Sequence, residues 1–154
     1  QTAPSLRCER RLPNGIRFTS TVARSPSDDG SIAMQISLTN GTEAPLSGLR
    51  VQVCTMLSAA EGFQHQQPLE QRLAGSLIAV KAIGRNRWIV TGWEPLHRVW
   101  DNPPVPCIHA DPIFPDCPPG ATVDVHGKLW FYEGDDIDGF LGSLNLTNAP
   151  LTTD

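Results

Sequence analysis

Apolar and polar residues alternate with a period of two along much of this chain. In the stretch 16–22 apolar and polar side chains take turns, and in the stretch 32–38 large apolar residues alternate with smaller or polar ones. Successive side chains of a β-strand point to opposite faces, so this pattern is typical of half-buried strands. The segment 25–30 between them is rich in Ser, Pro, Asp and Gly, which form turns. We therefore predict that the two stretches are adjacent strands of a meander.

Other stretches with strand character follow along the chain. They are 49–53, 77–83, 87–93 and 121–132. The segment 58–73 is the one candidate for a short helix, but Gly62 and Pro68 interrupt it, so a mostly irregular excursion is expected. Many short strands separated by turn signals predict an all-β fold, an antiparallel β-sandwich of the Ig-like or jelly-roll type, with little or no helix.

Length and charge narrow the possible architectures and partners. A chain of 154 residues suits a single β-sandwich domain over 1–154, with an N-terminal arm at 1–12 and a C-terminal tail at 143–154. The net charge is -4, and 12 basic and 16 acidic residues are spread without a basic stripe, which argues against nucleic acid as a partner. The apolar run 77–80 is too short to span a bilayer.

The first residues and the cysteines indicate an exported protein. The chain opens Gln1-Thr2-Ala3-Pro4 without an initiator Met, which we interpret as a mature terminus after removal of a signal peptide. A secreted, extracellular location permits disulfides. We expect Cys107 to pair with Cys117 and Cys8 to pair with Cys54, while buried free thiols remain the alternative.

The segment 93–120 has the most unusual composition. It holds eight of the 14 prolines, two tryptophans, two histidines, four acidic residues and two cysteines. Long loops in compact domains are usually functional when they are ordered, and prolines would make this one rigid. We expect one long Pro- and Trp-rich functional loop here.

The same region carries a family resemblance. The run 88–133, and within it the motif Pro-Cys-x-His-x-Asp-Pro at 106–112, resembles a family of secreted bacterial β-sandwich proteins with no known activity. The resemblance implies export and a β-sandwich, and it brings no activity to this chain. Family members often have a second cysteine where Val105 stands, a departure that speaks against a cysteine-based metal site.

Carbohydrate binding is the leading functional hypothesis. Indole rings stack on sugar rings, while Arg and carboxylate groups bind hydroxyls in fixed directions. The segment 93–120 offers Trp93, Arg98, Trp100, Asp101, His109 and Asp111. The strand at 121–132 offers a second platform, because Asp124, His126, Lys128, Trp130 and Tyr132 share one face. Burial of the tryptophans in the end of the sandwich is the competing interpretation.

A divalent metal cofactor is a second hypothesis. The candidate ligands are His97, His109, Asp111 and His126, of which His109 and Asp111 lie on one side of an extended segment. The acidic run 133–139 is a separate candidate for calcium, although it lacks EF-hand spacing and also suits a solvated turn.

Two further classes stay open. An enzyme acting on polysaccharide by paired carboxylates would draw on Glu94, Asp101, Asp111 and Asp116, although Asp beside Pro is also common in turns. The chain has no Gly-x-Ser-x-Gly motif of a serine hydrolase. A structural, self-assembling exterior protein is the other possibility, with strand edges or the tail 143–154 pairing between copies.

Overall fold

The fold consists of ten strands and one short helix within the part of the chain that the structure describes. The structure is a computed structural model, and it describes residues 4–27, 29–64, 69–102, 104–147 and 151. The elements are β1 Ser5–Arg11, β2 Arg17–Arg24, β3 Ile32–Thr39, β4 Cys54–Met56, β5 Gln71–Ala74, β6 Leu77–Lys81, β7 Arg87–Glu94, β8 Leu96–Asp101, β9 Cys107–Pro112, β10 Thr122–Glu133 and α1 Ile137–Ser143. No helix among these residues is long and apolar enough to cross a membrane.

The strands form two antiparallel sheets. The large sheet has seven strands in the order β1-β2-β3-β10-β7-β6-β5, and the small sheet has three in the order β4-β9-β8. Every strand pair is antiparallel. The prediction of an all-β, sandwich-like antiparallel fold with little helix is confirmed.

The main core lies between the two sheets. Ile78 and Val80 of β6 and Ile89 of β7 point from the large sheet into the same cluster as Ile108 and Ala110 of the small sheet. The other face of the large sheet is covered as well, by Ile137 and Leu141 of α1 and by Leu146. Because both faces of β6 and β7 are covered, nearly all successive residues of these strands are buried, and buried and exposed residues do not alternate.

Most of the predicted strands are present. The stretches 16–22 and 32–38 correspond to β2 and β3, which pair directly as expected. The stretches 77–83, 87–93 and 121–132 correspond to β6, β7 and β10. The stretch 49–53 is not a strand: it contributes one isolated bridge, from Arg50 to Ile113, and β4 begins after it at Cys54.

The two ends of the chain carry elements that the pattern did not predict. The segment 5–11, expected to be part of an arm, is the edge strand β1, and all seven of its residues are exposed. The acidic run 133–139 comprises the end of β10, a short turn and the first residues of α1, and the Asp136 carboxylate caps the helix by accepting a 2.9 Å hydrogen bond from the Gly139 N–H. The excursion 58–73 is irregular as far as 64 and enters β5 at Gln71, while Pro68 lies outside the described residues.

The expected long loop at 93–120 is largely a β-hairpin. Leu96–Asp101 and Cys107–Pro112 are strands β8 and β9 of the small sheet. The prolines lie mostly between or beyond these strands, at positions where no ladder hydrogen bond is needed from a backbone N–H. The segment is therefore ordered by strand pairing rather than by proline alone.

Trp93 and Trp130 are core residues rather than ligand platforms. Each is 2% exposed, and neither indole N–H has a hydrogen-bond partner among the described residues. Trp93 packs in the main core, and Trp130 packs under α1 on the other face of the large sheet. The expected binding face of β10 is thus covered at Trp130, while Asp124 near the start of the strand stays exposed. Lys128 of β10 is also buried, with Nζ donating to Asp29 Oδ2 at 3.0 Å and to the Asn145 carbonyl at 3.1 Å.

The four cysteines are free, so neither expected disulfide is present. Cys117 is fully buried in the main core, and its thiol contacts the Ala121 carbonyl at 3.4 Å. Cys8 lies on the edge strand β1, opposite Ser20. Cys54 and Cys107 belong to paired strands β4 and β9 of the small sheet. The structure therefore brings Cys107 beside Cys54, not beside Cys117.

Candidate functional site

The face of the small sheet that points away from the main core carries the side chains that could bind a ligand or take part in chemistry. Ile108 and Ala110 of β9 face the main core, so Cys107, His109 and Asp111 alternate to the outer face. The strand register adds partners from both sides. Cys54 of β4 and Trp100 of β8 lie opposite His109. Arg98 of β8 lies opposite Asp111. We call these six residues, Cys54, Arg98, Trp100, Cys107, His109 and Asp111, the β9 cluster.

Asp111 is a buried carboxylate with three donors. Its Oδ1 accepts from the Val53 N–H at 2.9 Å, and its Oδ2 accepts from Arg98 Nε at 3.0 Å and from Trp100 Nε1 at 2.7 Å. The carboxylate is 3% exposed, while the Arg98 side chain is 54% exposed. A buried charge needs such partners, so Asp111 holds both strands of the hairpin and the chain before β4 in one arrangement.

Trp100 is held by its neighbours on both its ring and its N–H. The indole ring stacks on the His109 ring with centroids 3.9 Å apart and an interplanar angle of 16°. The Arg98 guanidinium lies 4.9 Å from the centroid of the indole ring. These contacts fix the half-buried indole in place. They also cover part of the ring surface on which a sugar was expected to stack.

Cys54, Cys107 and His109 form a second group within the β9 cluster. Their Sγ and ring nitrogen atoms all lie within 4.8 Å of one another, and Cys107 Sγ is 3.3 Å from His109 Nε2. Burial, followed by hydrogen bonding to Cys54, raises the pKa of the Cys107 thiol to about 11. Without a bound metal ion the thiol is protonated at neutral pH, which disfavours a Cys-His nucleophile, whereas a metal ion would displace this proton.

The other nitrogen of His109 faces Asp111. His109 Nδ1 lies 3.6 Å from Asp111 Oδ1, beyond hydrogen-bond length, and it is a buried atom with no hydrogen-bond partner among the described residues. The imidazole therefore lies between a carboxylate on one side and two thiols on the other. Buried polar atoms are normally paired, so this unpaired nitrogen requires an explanation.

A polar groove borders the β9 cluster. It has a volume of about 210 Å³, and its lining residues are Arg50, Val51, Gln52, His97, Arg98 and Asp111. Arg50 and Gln52 come from the irregular segment before β4, and His97 and Arg98 come from β8. We call this the Arg50–Arg98 groove. Two arginines, a glutamine and a histidine are thus among the six residues that line one opening.

The structure groups some of the candidate binding residues and separates others. Arg98, Trp100, His109 and Asp111 lie together, as the hypothesis of a single site required. Asp101 is in register with Ile108, so it alternates away from Trp100, and it accepts a 3.3 Å hydrogen bond from Gln71 Nε2. Trp93 and Trp130 lie in the two cores.

The predicted histidine metal site is not assembled. His109 and Asp111 are neighbours, but His97 lines the groove and His126 lies on β10 of the large sheet, in register with Glu94. The group that could hold a metal among the described residues uses Cys54 and Cys107 instead. Val105 in place of a cysteine does not exclude a cysteine-based metal site, because the second cysteine of this group, Cys54, comes from another strand.

The four candidate catalytic carboxylates do not form a pair in the hydrogen bonds and ion pairs of the described residues. Asp111 is buried and fully engaged, Asp101 contacts Gln71, and Glu94 and Asp116 are exposed. The sequence did not indicate Arg50 or Gln52, and it indicated Cys54 only as a disulfide partner of Cys8. One feature of the sequence could have located these residues. Cys107, His109 and Asp111 alternate along one strand and therefore share a face, so residues of the neighbouring strands must lie beside them.

Comparison with known proteins gives a fold and no family. No model of a known protein family matches the chain, and no curated protein matches it either. Twelve solved chains match in structure. One of them is described as "Putative kojibiose phosphorylase from human microbiome", with a TM-score of 0.56 and 9% sequence identity over 83% of this chain. The match covers 18% of that chain, and at this identity it shows similarity of fold alone.

Proposed function

We propose that this domain binds carbohydrate in the Arg50–Arg98 groove, and that it prefers a saccharide carrying a carboxylate or a sulfate. The observation that carries the proposal is the lining of the groove. Arg50, Arg98, His97 and Gln52 converge on one opening beside the rigid hairpin of β8 and β9. Binding sites for small ligands commonly combine such a concave surface with a few fixed polar groups.

The charges of the groove favour an anionic ligand. Arg50 and Arg98 each carry a positive charge, and Asp111 is the one acidic residue among the lining residues. Asp111 already accepts hydrogen bonds from Val53, Arg98 and Trp100, so its charge is directed into the protein. Planar guanidinium groups bind carboxylate and sulfate oxygens in pairs, which gives both affinity and orientation.

Arg98 is preorganised for this role. Its Nε donates to the buried Asp111, and its guanidinium lies over the Trp100 ring, yet the side chain is 54% exposed. A long side chain that is already fixed loses less entropy when a ligand binds. Trp100 therefore serves as the support of Arg98 rather than as a platform for a sugar ring.

The fold neighbour agrees with this ligand class. The name of the solved chain described above, "Putative kojibiose phosphorylase", refers to an activity on a disaccharide. The proposal for this chain rests on its own groove, and the neighbour adds a precedent for the fold beside carbohydrate chemistry. Export of the protein, which would expose the groove to extracellular polysaccharide, stays a prediction.

A glycan array with neutral, uronate-containing and sulfated oligosaccharides tests the proposal. We expect the wild type to bind acidic oligosaccharides, and Arg98→Ala and Arg50→Ala each to weaken binding by tenfold or more. Arg85→Ala is the matched control, because Arg85 forms a surface ion pair with Glu61 away from this groove. Binding that is equal in all four proteins, or confined to neutral sugars, would contradict the proposal.

A further inference from the structure

We propose that Cys54, Cys107 and His109 bind a zinc ion on the outer face of the small sheet. This site is distinct from the Arg50–Arg98 groove, and it does not depend on carbohydrate binding. Two thiolates and one imidazole are ligands that zinc prefers. The structure supplies the three groups from two adjacent strands, without any movement of secondary structure.

The distances suit a tetrahedral ion. Zinc binds sulfur at about 2.3 Å and histidine nitrogen at about 2.0 Å, so two neighbouring ligand atoms of a tetrahedron are separated by roughly 3.5 to 3.8 Å. Cys107 Sγ and His109 Nε2 are 3.3 Å apart, and all three ligand atoms lie within 4.8 Å of one another. Changes in side-chain torsion angles that move the ligand atoms by about 1 Å or less bring all three separations into this range.

The sheet fixes the three ligands. Cys107 and His109 are two residues apart on β9, so they share a face, and Cys54 stands directly opposite His109 on β4. Cys107 and His109 are buried, whereas Cys54 is exposed. The ion would therefore enter from the side of Cys54, and its fourth position would face solvent. Such an open position takes a water molecule or another ligand.

Asp111 completes the arrangement around His109. A histidine that ligates a metal through one ring nitrogen commonly donates a hydrogen bond from the other to a carboxylate. Here Nε2 faces Cys107, and the buried, unpaired Nδ1 lies 3.6 Å from Asp111 Oδ1. A zinc ion at Nε2 fixes the proton on Nδ1 and so accounts for the direction of this nitrogen toward Asp111. Asp111 is then a positioning residue that orients the imidazole.

Zinc content and cobalt spectra of the full chain test this proposal. Protein purified without a histidine tag and without oxygen is loaded with zinc, desalted and analysed by mass spectrometry for metal per chain. We expect one zinc per chain in the wild type and in Cys8→Ser, and less than a tenth of that in Cys54→Ser. Cys8→Ser is the matched control, because Cys8 is also an exposed strand cysteine but lies on β1.

The cobalt spectrum of the wild type gives a second readout, which is independent of the zinc content of the variants. Titration of the reduced wild type with Co²⁺ should produce visible bands of tetrahedral cobalt and a thiolate-to-cobalt charge-transfer band, saturating at one ion per chain. Asp111→Asn should weaken cobalt binding by about 10- to 100-fold while the charge-transfer band remains at saturation. Wild type without bound metal, Cys54→Ser that retains it, or a Cys54–Cys107 disulfide that forms in place of the zinc complex under these conditions would overturn the proposal.

Discussion

The indole N–H of Trp100 donates a 2.7 Å hydrogen bond to Oδ2 of the buried Asp111. The same carboxylate oxygen accepts from Arg98, and the other accepts from the Val53 backbone. One buried charge thus joins β8, β9 and the chain that leads into β4. The Asp111 carboxylate borders the Arg50–Arg98 groove on one side and His109 on the other. Substitution of Asp111 should therefore change both the groove and the position of the imidazole.

Asp111→Asn should destabilise the fold by about 2 to 4 kcal/mol. The asparagine amide has one oxygen and one NH₂ group. In either orientation its NH₂ group therefore faces a donor whose hydrogen bond Asp111 accepts in the wild type. At this chain length the loss corresponds to a fall in Tm of roughly 5 to 15 °C, measured by calorimetry.

Asp116→Asn is the control for this variant, since Asp116 is exposed on the same segment. Its Tm should stay within about 2 °C of wild type, the range of an ordinary surface change. A Tm of Asp111→Asn equal to that of the control would show that the three hydrogen bonds to Asp111 do not stabilise the fold.

The ion pair between the buried Lys128 and the partly exposed Asp29 should make stability fall in acid. Burial alone raises the pKa of Asp29, but hydrogen bonds from Ser31 and the contact with Lys128 outweigh it and hold the pKa well below the usual 3.8. The folded state therefore releases this proton more readily than the unfolded chain. The stabilisation is complete above about pH 5 and is lost progressively as the pH falls through and below the unfolded-state pKa of about 4.

Urea unfolding of wild type and Asp29→Asn at pH 7, 4, 3 and 2.5 measures this linkage. Asp29→Asn leaves the Lys128 ammonium buried without its anion, so the variant should be less stable at pH 7 by about 2 to 3 kcal/mol, a value reduced for the partial exposure of Asp29. The difference should shrink as the pH falls below 4. A difference that stays constant down to pH 2.5 would show that the pKa of Asp29 is not lowered by folding.

Gly127→Ala should be strongly destabilising. A Cβ at this position would lie 2.5 Å from Cδ2 of the buried Trp93 and 2.8 Å from the Gly92 carbonyl oxygen. Neither atom can move without disturbing the main core or the ladder between β7 and β10, so we expect a loss of about 2 kcal/mol or more. Chemical denaturation measures it.

Gly142→Ala in α1 is the matched substitution. An added Cβ there meets nothing within 4 Å, and alanine is a better helix former than glycine. This variant should be unchanged or more stable by up to about 1 kcal/mol. Equal destabilisation by both substitutions would argue that Trp93 does not pack against Gly127.

The sequence predicted strands that carry buried apolar residues, namely β2, β3, β6, β7 and β10, whereas it missed the exposed strand β1 and the strands β8 and β9. Alternation located β2 and β3, and it also located β10, in which Val125 lies in the main core and Trp130 lies under α1 on the opposite face. β1 is exposed on both faces, so its residues carry no pattern of burial. β8 and β9 were hidden by the density of prolines, although the prolines mark the turn and the ends of these strands.

The candidate site was predicted in part for a similar reason. Arg98, Trp100, His109 and Asp111 are close in sequence, so a single segment indicated them. Cys54, Arg50 and Gln52 join them through strand register and an isolated bridge across more than 40 residues, which composition does not encode. Trp130 was misplaced because alternation along β10 cannot tell which face α1 covers.

The most direct test of the central claim is an NMR titration of the ¹⁵N-labelled protein with acidic oligosaccharides. The account predicts saturable shifts of the Trp100 indole N–H, the Arg98 Nε–H and the amides of 50–52, with little change at Trp130, which is buried under α1. Shifts confined to the other face of the large sheet, or no shifts at millimolar oligosaccharide, would contradict it.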